Sequence, residues 1–217
     1  MHYIKINTLY KRNETNGKII IDDFSKEEFC NIKLWYVSEK VNGTNLRISY
    51  DRKSNIKFDG KTDNASIPAK LYAYLQNKFT LELMQKVFPL DESKDAIIKT
   101  PEVILFGEGV GAKIKGSGNY LKGDVGVILF DVYIDGWWLS QENVANIAGK
   151  LDILYAPSFG IMTIEDAINL VKSKPMSLIS SVPQIIEGIV ARSHPLMLFR
   201  DHTPIIWKLK VVDFSTT

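Results

Sequence analysis

The amino-acid sequence predicts an α+β fold of mostly antiparallel sheets with flanking helices. Two observations carry that reading. Apolar runs of strand length recur along the 217 residues, and short turn signals such as Asp135-Gly136 join several of them. Between them lie segments in which apolar residues return at helical spacing, as Leu71, Leu75 and Phe79 do. Turns this tight leave no room for a crossover helix, so the strand pairs they join are antiparallel.

The elements follow in order. The first 33 residues mix charge and turn residues. Residues 10–13 and 16–18 read as loop and turn, and 19–21 as a short strand. Ser25 with Glu28 three residues on has the pattern of a capping box for a helical turn ending near Cys30. Residues 34–60 read as three strands, 34–39, 45–50 and 56–58, with a tight turn over 39–45 and another over 51–55. A polar loop covers 59–64, where Gly60 is able to take a positive φ. Ser66 and Pro68 start a helix over 67–79. Residues 81–88 continue helically to a stop at Pro89, and the charged stretch 90–100 reads as a solvated face. Val103, Ile104, Leu105 and Phe106 form a buried strand that ends in the glycine-rich 107–111. Residues 112–124, with Lys113, Lys115 and Lys122 among three glycines, read as a mobile basic loop. A strand over 125–134 turns at Asp135-Gly136 and returns through Trp137 and Trp138. Ser140 caps a helix that runs to Ala148 and closes at Gly149. Thr163 with Asp166 opens another, ending before Pro175. After a loop at 180–184, strands cover 187–192 and 205–211.

Bulk properties narrow the function classes. The single cysteine, Cys30, excludes an intrachain disulfide. The N-terminus lacks the apolar core of a signal peptide, and no apolar run approaches a membrane span. A soluble, cytoplasmic protein with no membrane partner is expected. The net charge of +2 neither demands nor excludes nucleic acid. His194 and His202 stand at no metal-ligand spacing with a cysteine, so no zinc site is read. The length suits one domain over 1–217, with no room after Lys210 for another.

Several residues invite a chemical reading beside a plain one. Glu39-Lys40-Val41-Asn42-Gly43-Thr44-Asn45 places a lysine at a strand end, where a neutral amine is a nucleophile. A solvated lysine in a hairpin turn fits the same residues. Glu108 between glycines at a strand end permits close ligand approach, or is a solvated bend. Phe130, before Asp131, is a core aromatic or a ring offered to a base. Lys11 and Arg12 reach a polyphosphate or lie in a solvated loop. The basic loop closes on a substrate phosphate or merely connects. Alternation puts Lys208 and Lys210 on one strand face and Trp207, Leu209 and Val211 on the other. Two lysines so placed repel unless an anion lies between them or water surrounds them.

Taken as an ordered set, these pieces are specific. Glu-Lys-x-x-Gly-Thr-Asn, Phe-Gly-Glu-Gly, a Phe-Asp strand, Glu-Gly-Ile-Val and Lys-x-Lys follow one another along the chain. The series resembles that of the covalent nucleotidyltransferases, which include polynucleotide ligases and mRNA capping enzymes. Within them it most resembles the ATP-dependent RNA ligases of the phage RNA ligase 2 type, from about Tyr10 to Lys210. Lys40-Val41-Asn42-Gly43-Thr44-Asn45, the loop Gly60-Lys61-Thr62-Asp63-Asn64-Ala65 and Phe130-Asp131 carry the likeness.

The resemblance implies a nucleotidyltransferase (adenylylation) domain of the ATP-grasp-like ligase kind, phage-like in type and suited to RNA repair. Its cofactors would be ATP and Mg2+ or Mn2+, and its partners RNA ends bearing a 5′-phosphate and a 3′-hydroxyl. Lys40 would attack the α-phosphate to form lysyl-AMP. Glu39 would hold the adenine edge, Gly43 keep the lysine loop tight, Glu108 bind the ribose and Phe130 stack on adenine. Asn45 and Lys61 would contact phosphate or the RNA end. Glu187 would position the metal, and Lys208 and Lys210 would meet the α-phosphate and the leaving pyrophosphate. Asn42 stands where relatives often carry Asp or His, which leaves RNA against DNA open. Lys61 stands where they often carry Arg, and it lacks the bidentate fork. Relatives usually carry a further domain after this point, so sealing is open to an accessory domain or protein in trans. A minimal DNA ligase, a capping guanylyltransferase, a non-catalytic RNA-binding module of the same fold and a structural protein with chance motifs are the competing readings.

Overall fold

Strand-forming runs dominate the chain, and they sort into two large sheets, each with its own core, and a two-stranded one. A computed structural model describes residues 1–62, 65–90, 102–114 and 116–214. The expected solvated face lies outside these residues from 91 to 100, as do Asp63, Asn64 and Lys115 of the two loops. Two compact units result: Ile4–Val41 with Ala156–Thr217, called the first unit here, and Met1–Tyr3 with Asn42–Tyr155, the second.

The chain begins in the first unit with β1 (Asn7–Thr8), β2 (Tyr10–Arg12), β3 (Ile19–Phe24), α1 (Glu27–Asn31) and β4 (Trp35–Glu39). It passes into the second unit with β5 (Thr44–Tyr50), β6 (Ile56–Asp59), α2 (Ala69–Lys78), α3 (Leu81–Val87), β7 (Val103–Gly111), β8 (Val125–Ile134), β9 (Trp137–Trp138), α4 (Gln141–Leu151) and β10 (Leu154–Tyr155). It returns with β11 (Ser158–Met162), α5 (Ile164–Lys172), β12 (Gly188–Ser193), β13 (Ile206–Lys210) and a 3-10 turn, Val211–Phe214. The α+β class and the antiparallel bias are as expected. The first unit's main sheet runs β1-β13-β12-β4-β11, and the second's runs β10-β8-β7-β5-β6 with β9 beside β8. Only β1·β13 and β10·β8 are parallel among the described pairs.

In the first unit, β13 alternates as its sequence predicts. Trp207 and Leu209 are fully buried with Trp35, Val37 and Ile189, while Lys208 and Lys210 take the other face. Trp35 and Trp207 meet edge to face at 5.4 Å, a contact worth about 1 kcal/mol beyond the area it buries. The Thr163–Asp166 capping box is present and starts α5. In the second unit, Leu46, Ile48, Leu105, Leu129 and Val132 pack with Leu71, Leu75 and Phe79 of the helical region. Among the described residues no helix is long and apolar enough to cross a membrane.

Several local expectations fail for identifiable reasons. Residues 39–45 are not a hairpin: β4 and β5 flank them but belong to different sheets. Tyr10–Arg12 is a strand paired with β3 rather than a loop. The Ser25 box does not form, because the Ser25 hydroxyl donates to the Thr8 carbonyl and α1 starts after Lys26. Gly60 keeps a negative or extended φ. Its role is space, since a Cβ there would lie 2.8 Å from that of Ala65. β7 continues through the glycine-rich stretch instead of ending at Phe106. α4 passes Gly149 and closes at Asp152, whose left-handed φ of 49° returns its N–H to Ala148 and Gly149. The described part of 112–124 folds on itself, with Ile114, Ser117 and Tyr120 buried.

Candidate active site

The first unit gathers five of the ten residues singled out by sequence. β12 lies between β4 and β13, with Ile189 opposite Glu39 and Gly188 opposite Lys210. Lys40 follows β4, and its N–H donates to the Gly188 carbonyl at 2.9 Å. Glu187 precedes β12. Antiparallel pairing therefore brings Lys40, Glu187 and Lys210 to one end of three adjacent strands. The Glu187 carboxylate bridges both amines: Lys40 Nζ to Oε2 is 2.6 Å and Lys210 Nζ to Oε1 is 2.7 Å. Gly188 makes this possible, because a Cβ there would lie 2.1 Å from the Leu209 carbonyl oxygen. Burial pushes the Glu187 carboxyl up, but Lys40 and Lys210 outweigh it and hold the group below its ordinary value.

Lys208 lies in the same field and is driven below the usual lysine value. Burial is the main cause; Lys40, Lys210 and Arg12 add to it, and Glu187 opposes it. The charged form thus opposes folding. The penalty is complete below the folded pKa and is relieved as pH rises from there to 10.5, the unperturbed value. Lys208→Met, of similar length, is expected to raise Tm at neutral pH by about 2 °C. The gain should shrink as pH climbs through that interval. A differential scanning series from pH 7 upward measures it, and an unchanged or lower Tm at pH 7 counts against the charge crowding.

Glu39 is 1% exposed. Its Oε1 accepts from the Ser177 hydroxyl at 2.7 Å and its Oε2 from the Leu178 N–H at 2.9 Å. Sequence reasoning missed Ser177 and Leu178, whose distance along the chain hides the contact. It also missed Asp213, which binds Arg12 and the Lys210 N–H. An acid three residues after Lys210 was the available signal.

The other five residues lie in the second unit. Asn45 on β5 sits directly opposite Glu108 on β7, and Thr44 opposite Gly109. Gly43 precedes them at close range, for a Cβ there would come 2.5 Å from the Gly109 oxygen. Asn45, Phe106 and Glu108 project from the sheet face opposite the helices. Phe130 sits at a bulge: Phe106 opposes Asp131 and Gly107 opposes Leu129, which leaves Phe130 as the extra residue. Its half-buried ring meets Tyr3 edge-on at 5.0 Å. The Tyr3 hydroxyl and the Gln141 amide donate to Asp131. Lys61 is exposed in the loop after β6.

Among the described residues no cluster of three or more His, Cys, Asp or Glu could hold a metal. A single carboxylate at Glu187 still fits Mg2+ or Mn2+, ions commonly held by one or two carboxylates together with substrate phosphates and water.

Comparison with known proteins shows the family and the fold. The RNA ligase family profile matches residues 33–210, and the chain belongs to that family. No match to a curated protein is found. Among solved structures, a mutant Naegleria gruberi RNA ligase with ATP and Mn is similar over 97% of this chain and 62% of its own, at TM-score 0.60 and 13% identity. Another mutant of that ligase, with AMP and Mn, gives TM-score 0.60 and 15% identity over 97% and 62%. A third, with ATP and Mn, gives 0.56 and 16% over 82% and 50%. The chain thus spans between half and two thirds of these proteins, and the likeness at such identity is one of fold.

Proposed function

We propose that the chain is an ATP-dependent RNA ligase acting through lysyl-AMP, with residues 1–217 as one adenylylation module. The observation that carries this reading is the Glu187 carboxylate bridging Lys40 and Lys210 beside Lys208. Residues far apart in sequence meet there, and a group of amines around one carboxylate supports attack on a phosphate at this place.

Lys40 Nζ loses a proton and attacks the α-phosphorus of ATP. A P–N bond forms and the P–O bond to pyrophosphate breaks. Lys208 and Lys210 offset the negative charge on the phosphate oxygens and the leaving group. A divalent ion held by Glu187 would supply further charge neutralisation at the phosphates. Glu39 holds the adenine edge, Glu108 the ribose, and Phe130 stacks on the base. Gly43 keeps the segment after the lysine tight, and Asn45 and Lys61 meet the phosphate or the RNA end. AMP passes to a 5′-phosphate, and a 3′-hydroxyl then attacks that phosphate and releases AMP. ATP and Mn in the Naegleria gruberi ligase structures support this choice of cofactors.

Incubation with ATP labelled at the α-phosphate and Mg2+ or Mn2+, followed by 5′-phosphorylated RNA or DNA, tests the reading. Covalent label from ATP but not GTP is expected, with RNA joined at least tenfold faster than DNA. Label from GTP alone would mean a capping enzyme, and preference for DNA a DNA ligase. ATP binding without label would leave an RNA-binding module.

A further inference from the structure

A side chain from the first residues of the sequence holds Phe130 in place. Strict alternation would send Phe130 and Asp131 to opposite faces of β8. The bulge at Phe130 cancels that, and both side chains meet Tyr3. The Tyr3 and Phe130 rings lie 5.0 Å apart with their planes at 71°. The Tyr3 hydroxyl donates to Asp131 Oδ2. Gln141, the first residue of α4, holds the same step: its Nε2 donates to the Phe130 carbonyl at 3.2 Å and to Asp131 Oδ1 at 3.0 Å. Asp131 is buried, so these two donors satisfy its carboxylate away from water.

Tyr3 is itself fixed. Its ring meets Phe106 at 4.9 Å and Trp138 at 6.0 Å. Two residues earlier, the Met1 carbonyl accepts from Arg47 Nη1 at 2.9 Å. Arg47 is buried, and its Nη2 is bonded to Asp59 at 2.9 Å. All of these residues belong to the second unit. Met1–Tyr3 is therefore a strap across the sheet face that carries Asn45 and Glu108, running from β5 past β7 to β8. A ring that stacks on a base must hold its plane. Phe130 turns about two side-chain bonds, and as the extra residue of a bulge it lacks the ladder pairing of its neighbours. Fixing those torsions before a ligand arrives removes an ordering cost from binding. A near-perpendicular neighbour does so while covering at most one face of the ring.

We propose that Tyr3 is a positioning residue for nucleotide binding: its ring sets the plane of Phe130, and its hydroxyl, through Asp131, sets the bulge that aims it. The inference rests on the base contact given to Phe130 above. Calorimetric titration of the full chain with AMP and Mg2+ tests it in wild type, Tyr3→Phe, Tyr3→Ala, Phe130→Ala and the double variant Tyr3→Ala/Phe130→Ala. Phe130→Ala is expected to weaken AMP about tenfold, the scale of one base–aromatic stack. Tyr3→Ala should weaken it about fivefold, through loss of the ring contact. Tyr3→Phe, which keeps the ring and the fold, should weaken it about twofold. The double variant should bind AMP no more weakly than Phe130→Ala, because Tyr3 acts through the ring. A merely structural role would weaken AMP by the same factor with or without Phe130, and that outcome would overturn the proposal, as would unchanged affinity in both Tyr3 variants. If Phe130→Ala binds AMP as wild type does, or wild type binds none, the base contact itself is lost and Tyr3 has nothing to position. Non-additive loss of AMP without covalent label from ATP would keep Tyr3 in its role and remove the ligase reading.

Discussion

Lys40→Ala is expected to abolish covalent labelling by ATP, a loss of at least about a thousandfold against wild type. In the proposed mechanism Nζ is the atom that forms the P–N bond, and no neighbouring group is placed to replace it: the Lys208 and Lys210 amines start from a different strand, and Lys210 is held by Glu187. The variant should fold. The Lys40 contact with the strand ladder is its backbone N–H on Gly188, which alanine keeps. Glu187 also retains Lys210 as a partner, so no carboxylate is left buried and alone. Lys40→Arg should fail as fully, since a guanidinium stays protonated at any working pH. The chemistry of the adduct gives a second check. A phosphoramidate is cleaved by acid and survives alkali, whereas AMP on a carboxylate behaves in the opposite way. Label that remains in Lys40→Ala, or that alkali releases from wild type, would remove Lys40 from its role.

The contrast between what was and was not legible follows from range. Signals set by a few neighbouring residues came through: the Thr163–Asp166 cap, the Asp135-Gly136 turn, and the alternation that puts Trp207 in the core and Lys208 outside it. Each depends on local dihedrals or on strand period alone. Sheet membership does not. The residues around Lys40 look the same whether β4 and β5 pair or part, and the partner strands β12 and β7 decide that they part. The Ser25 hydroxyl was lost to its predicted cap because it is turned to donate to the Thr8 carbonyl, brought near by β1, and α1 starts only after Lys26. The motif series located Glu187, Lys208 and Lys210 as a group. It could not tell that Glu187 joins two lysines, because that geometry exists only once β12 lies between β4 and β13. Arg12 read more readily as a solvated loop residue than as a polyphosphate contact, and only the buried Asp213 distinguishes it from the neighbouring Lys11.

Gly188→Ala is expected to destabilise the protein by about 3 kcal/mol, the upper end for overpacking, and to cut lysyl-AMP formation by at least tenfold. The added methyl would lie 2.1 Å from the Leu209 oxygen and 2.7 Å from the Lys210 Cα. Both are backbone atoms, so no rotamer change relieves the clash, and β12 must separate from β13. That separation strikes the sheet at its centre, because β12 is also paired with β4. It also strikes the site twice. Glu187 moves relative to Lys210, and the Gly188 carbonyl moves relative to the Lys40 N–H that it accepts. Gly149→Ala is the matching control: it lies inside α4 with nothing within 4 Å of the new Cβ. Helix propensity predicts a gain there of about 0.5–1 kcal/mol. Urea denaturation of the two variants beside wild type should move their midpoints in opposite directions. If Gly188→Ala unfolds with wild type and still takes label at the wild-type rate, β12 and β13 are not so closely apposed, and the carboxylate bridge between Lys40 and Lys210 loses its structural basis.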